Sequence, residues 1–239
     1  MDNISRFKCS YAVLNNFFEK WLQCITDRCN GNDQRKAAFY VWARYSMSMG
    51  TIDAILDPHL IPDLSVICRS CLEFDVALEA VIKDKEMAHD YLEFDKHAKA
   101  RYLKILSKQG DIERMLMRRE QFEKTFGEDP EEFGQLSWCT KKGGITGLMQ
   151  SLGRKADLRV YNMLSHFAHG SVLAIQMLNG RIKDPREMLA TLVDATYTGY
   201  LDSSRAFVWF IWEPLTTPEG ERCKSDFVHV ISAHTKGIT

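Results

Sequence analysis

Proline and glycine are scarce, with six and fourteen in 239 residues, so few breakers punctuate the chain and the segments between them run long. A long hydrophobic run is also missing. The most apolar stretch, Ala206 to Trp212, is too short to cross a bilayer and follows Asp202 and Arg205, so no membrane partner is expected. No basic region followed by an apolar one opens the sequence, which gives no sign of a signal peptide, and a cytoplasmic location is the expectation. Neither sign of charge dominates. A formal net charge of -1 argues against a whole-surface nucleic-acid binder, and no DNA partner is expected, although a local basic patch stays open. The seven cysteines are odd in number and irregular in spacing, as for reduced thiols. Cys68 and Cys71 form a C-x2-C inside a helical pattern, and the nearest second pair, Cys24 and Cys29, is more loosely spaced. A zinc knuckle needs two well-spaced pairs on turns, so these read as core cysteines, and neither a metal nor a cofactor is expected.

What is present is apolar periodicity. Phe7, Tyr11, Leu14, Phe17, Phe18, Trp21, Leu22 and Ile25 fall at helical spacing across residues 5–27. Gly31-Asn32-Asp33 supplies a stop and a fresh N-cap before a second helix over 34–56. Pro62 suits the first turn of a third that ends near Lys83. Further helices are predicted over 85–107, from the Gly110-Asp111 cap to about Phe126, and over 145–152, 156–178 and 185–213. Residues 127–153 read as an irregular insert with an acidic turn, and 214–239 as a polar tail in which Phe227 to Ser232 is the one candidate strand. No internal repeat or low-complexity segment appears. The expectation is all-α: a single helical domain, a bundle of seven or eight helices over residues 1–239.

The chemistry concentrates in residues 157–171. Tyr161, Ser165 and His169 fall at i, i+4 and i+8, one polar stripe of a helix. Arg159 and His166, seven apart, form a second stripe, placed on a neighbouring face. His166 and His169 supply two metal ligands, but no Glu-x-x-His partner completes a set. Ser165 and His169 have the spacing of a nucleophile and base, yet no G-x-S-x-G elbow presents the serine, and a mid-helix serine commonly bonds back to its own backbone. Arg159 with His166 permits metal-free action on RNA, the imidazole moving protons and the guanidinium holding phosphate charge. Nine Lys or Arg against four Asp or Glu between Lys96 and Lys124, then Lys141, Lys142, Arg154 and Lys155, offer substrate-binding charge or simply a solvated face. Arg69 and Glu73, at i, i+4 beside apolar Val76 and Ala80, face inward as a cross-brace or line a pocket. Phe207 to Trp212 reads as core, or as a dimer interface where exposed.

The arrangement R-x3-E followed by Y-x3-S-x3-H-G, here Arg69, Glu73, Tyr161, Ser165, His169 and Gly170, resembles an uncharacterised prokaryotic and phage helical family of unknown function. The resemblance covers residues 50–94 and 157–173. More distantly the chain resembles the HEPN superfamily of helical ribonucleases and nucleotide-binding modules, whose signature is an Arg followed by a His after four to six residues. Arg159 and His166 have six between them, with Val160 where active members often carry a polar residue. The resemblance implies a toxin or anti-phage ribonuclease, with Arg159, His166 and His169 catalytic, and a homodimer that brings two Arg-His sets together. The alternatives are a non-catalytic interaction module, in which Arg69, Glu73, Tyr161 and Ser165 form a structural network, and a small-molecule or nucleotide sensor.

Overall fold

The computed structural model describes residues 3–57, 60–133, 138–168, 185–213 and 217–236. Among them lie nine α-helices, two short 3-10 turns and no strand: α1 (Asn3–Cys29), α2 (Asp33–Ala54), α3 (Ile61–Lys83), α4 (Lys85–Lys108), α5 (Ile112–Phe126), α6 (Gly144–Ser151), α7 (Lys155–Ala168), α8 (Pro185–Trp212) and α9 (Pro218–Lys236). The chain is an all-α bundle. The additional helix, α9, stands where the polar tail and the candidate strand were expected. Cys223 and Phe227 are fully buried and Val230 and Ile231 pack beside them, which is helical spacing rather than the alternation of a strand. Gly220 lets α9 approach the end of α8, since a Cβ there would lie 2.8 Å from a ring carbon of Trp212.

Local chemistry sets the helix ends. The Asn32 side chain accepts from the Arg35 N–H at 2.9 Å, the Asp84 carboxylate accepts from Glu86 and Met87, and Asp111 caps α5 through Arg114. Each satisfies backbone donors that the first turn leaves unpaired. Pro62 lies in the first turn of α3, and Gly127 closes α5 in the left-handed conformation at φ 69°.

Aromatic side chains from α1, α2, α8 and α9 build the main core. Trp42 of α2 stacks on Phe207 of α8 at 5.0 Å between ring centres, and Phe18 of α1 lies 4.1 Å from Trp42. Phe207, Val208, Ile211 and Trp212 are all buried, so the aromatic end of α8 belongs to the core. α3 is the pivot, packing against α2, α4, α6, α7 and α8. Its Leu64, Cys68, Cys71 and Leu78 enter the main core, while Val76 and Ala80 enter a second cluster with Met87, Cys139, Leu148, Met149 and Tyr161. Burial on both sides of α3 fixes where α6 and α7 sit. The α4–α5 hairpin has its own small core of Ala100, Leu103 and Phe122. The acidic turn after α5 folds back on it: Glu128 pairs with Lys96, and Asp129 and Glu131 pair with Arg119. Lys96 and Arg119 of the basic run are therefore neutralised within the fold.

Candidate functional site

α7 turns Tyr161, Leu164 and Phe167 inward, the i, i+3, i+6 rhythm of a helix packed on one side. Tyr161, only 7% exposed, meets Arg69 of α3. The Arg69 Nη2 donates to the Tyr161 hydroxyl at 2.6 Å, and the guanidinium lies 4.8 Å from the phenol ring centre. Glu73 accepts the other charge contact of Arg69 at 3.3 Å. Burial pushes the Tyr161 phenol above its ordinary value, and the Arg69 hydrogen bond opposes that push. The phenol therefore stays neutral and acts as a fixed hydrogen-bond partner. The Ser165 hydroxyl donates to the Tyr161 carbonyl at 2.7 Å, the back-bonding arrangement of a helical serine, which spends its proton on the backbone. His169 and Gly170, the remainder of that stripe, lie outside the described residues.

The opposite side of α7 differs. Arg159 and His166 are both exposed, between Val160 and Met163, which are 43% and 41% exposed. At about 100° per residue the two charged positions lie roughly 150° around the helix from Tyr161. From Ser165, the middle of the inner stripe, they lie about 100–120° around, on a separate face that points to solvent. The fold thus joins Arg69, Glu73 and Tyr161 and keeps Arg159 and His166 apart from them.

A family of unknown function, DUF5677, matches residues 35–187, more than half of the chain. The chain belongs to this family. The DUF5677 match is wider than the two blocks that carry the sequence resemblance and runs from the first turn of α2 to that of α8. No curated protein and no solved structure matches the chain.

A network that sequence reasoning missed lies within the DUF5677 span except for its Ser203. Arg154, just ahead of α7, donates to Asp75 and Glu79 of α3 and to Asp157 of α7. The other carboxylate oxygen of Asp75 accepts from the Ser203 hydroxyl of α8. The guanidinium thereby ties α3 to α7, and Asp75 carries the link on to α8. Burial pushes the Asp75 carboxyl above its ordinary value, with Arg154 and then Ser203 pulling it back. Arg154 was expected among substrate-binding cations, but three carboxylates consume it. The available signal was a cation with Asp157 at i, i+3 and an Asp75–Glu79 pair at i, i+4. Local spacing does not disclose that those pairs meet.

A groove of about 1400 Å³ was also missed. α2, α3, α4 and the segment around Trp138 wall it, and Glu73 reaches it from the Arg69 pair. Its sequence signal was Lys36, Tyr40 and Arg44 at i, i+4 and i+8, one exposed stripe of α2.

Proposed function

We propose that this DUF5677 protein acts on RNA without a metal ion, in the toxin or anti-phage role that the HEPN resemblance implies, with the exposed stripe of α7 as the working surface. His166 takes the proton of a ribose 2′-hydroxyl as that oxygen bonds to phosphorus. The phosphorus–O5′ bond breaks, and the leaving oxygen takes a proton from the imidazolium of His166 in a second copy, which ends as the neutral ring. Arg159 holds the phosphate and neutralises the charge that builds on it. His169 is the alternative base. The observation that supports this reading is the condition of the two side chains. Both are exposed, and neither is engaged in a hydrogen bond or ion pair among the described residues. Val160 and Met163 flank them, so a second copy packed on this face would bury apolar surface while bringing two Arg-His sets together.

Incubation of the protein with mixed RNA in excess EDTA tests this. Wild type is expected to cleave, and His166→Ala and Arg159→Ala are expected to lose cleavage at unchanged melting temperature. A wild type without activity, or a His166→Ala variant that cleaves normally while His169→Ala also does, sinks the reading.

A second reading has its own support. Arg69, Glu73 and Tyr161 engage one another through the Arg69 Nη2, as in a brace that fixes helix register in a non-catalytic interaction or nucleotide-sensing module. It predicts variants that lose stability while no RNA is turned over.

A further inference from the structure

The groove between α2, α3 and α4 has walls of two kinds. Its acidic side chains are largely neutralised from within: Glu73 by Arg69 at 3.3 Å, Glu93 by Lys96 at 2.7 Å and Asp95 by Lys99 at 2.6 Å. Asp33 sits in the first turn of α2, where the helix dipole favours a carboxylate. Lys36 and Arg44 on the α2 wall have no carboxylate partner among the described residues. They rest instead against aromatic rings. The Lys36 ammonium is 6.0 Å from the Tyr40 ring centre, and the Arg44 guanidinium is 5.8 Å from that of Phe74. Arg44 also opposes the burial that pushes the Tyr91 phenol above its ordinary value, and the Tyr91 ring meets Trp138 edge-on at 5.3 Å. Tyr40 is 45% exposed, an aromatic face left open between two cations.

We propose that this groove binds a single strand of nucleic acid, with its phosphates on Lys36 and Arg44 and its bases stacked on Tyr40 and the neighbouring aromatic rings. Three properties converge on that occupant. The uncompensated charge is positive, as a phosphate backbone requires. The cations alternate with exposed aromatic surface, which suits a flexible strand whose bases are unstacked and accessible. About 1400 Å³ exceeds the roughly 300–1,000 Å³ of a small-molecule site, so a polymer fits better than a single nucleotide. Lys36 and Arg44 are eight residues apart in α2, or about 12 Å along the axis, which leaves room for a base between two phosphate contacts. No described residue of α7 lines the groove, so the inference does not depend on the reading of Arg159 and His166.

Fluorescence anisotropy with a 5′-labelled 2′-O-methyluridine twelve-mer tests it, because that strand lacks the attacking hydroxyl and survives any ribonuclease. Saturable binding at about 0.1 M salt, weakening as salt rises, is expected. Lys36→Gln with Arg44→Gln should weaken it roughly tenfold or more, and Tyr40→Ala about fivefold. All three positions are exposed, so melting temperatures should hold. A deoxythymidine twelve-mer separates RNA from DNA as the source of the strand. No saturable binding overturns the proposal. So does a loss caused by Arg159→Gln rather than by the groove variants, which would place the strand on α7. Equal competition by polyglutamate also overturns it, because that result assigns the groove to an acidic protein segment. Groove binding by a protein that cleaves nothing would leave this inference standing and remove the ribonuclease.

Discussion

The two sides of α7 use similar residues to opposite ends. Inward, Tyr161 and Ser165 have spent their hydrogen-bonding capacity on Arg69 and on the backbone, and the neighbouring Arg154 is shared among three carboxylates. Outward, Arg159 and His166 stand in solvent, unpaired among the described residues. A polar side chain held by protein partners contributes to register and stability. One left open retains its capacity for a ligand. Residue type does not distinguish the two; saturation does.

The strongest way to break the comparison is Arg154→Ala. It strands Asp75 and Asp157, while Glu79 keeps Lys83, at a site where the Arg154 and Asp75 side chains are 18% and 16% exposed. Removing one partner from such a site is expected to cost about 3 kcal/mol, on the order of 10 °C in melting temperature. The loss should depend on pH. Asp75 titrates above its ordinary value because of burial, so its protonated form is favoured in the folded state. Stability from that carboxyl is present below the unfolded value and declines as pH rises through the folded one. Without the guanidinium the upward push grows, so acidification should narrow the gap between the variant and wild type; a gap independent of pH would contradict the assignment.

Tyr161→Phe is next. It deletes the hydroxyl that accepts from Arg69 and keeps the ring, for an expected loss of about 1.5 kcal/mol in a denaturant titration. Asn32→Ala should cost about 1 kcal/mol, since it removes only the cap of α2. Ser165→Ala should stay within about 0.5 kcal/mol, because the backbone carbonyl it frees keeps its helical bond. Arg159→Ala and His166→Ala close the series with no resolved change in melting temperature. Melting of either variant well below wild type would show that the outer stripe is architecture too, and the contrast between the faces would collapse.

Most of the helical layout was legible in the sequence. The first helix announces itself through Phe7 to Ile25 at helical spacing, and Asn32, Asp111 and Pro62 mark helix starts by chemistry confined to one turn. The last helix was less legible: its polar composition suggested a tail, and only the burial of Cys223 and Phe227 against α1 and α8 reveals the apolar stripe. The site divided in the same way. The Arg69–Glu73 pair and the two stripes of α7 can be read from spacing, but which stripe turns inward cannot, and the Arg154 network and the groove were missed. Arg154 meets Glu79 and Asp75 across 75 and 79 residues of chain, which no local pattern encodes.

The sequence by itself determined that this chain is helical, where most helices begin and end, and which polar residues α7 carries, because periodicity and capping act within a turn or two. Tertiary structure alone decided which of those residues are held and which are open. The rotation of α7 against α3 and α6 is set by how Tyr161, Leu148, Met149 and Val76 fill one shared cluster, and that rotation points Tyr161 at Arg69 and sends Arg159 and His166 into solvent.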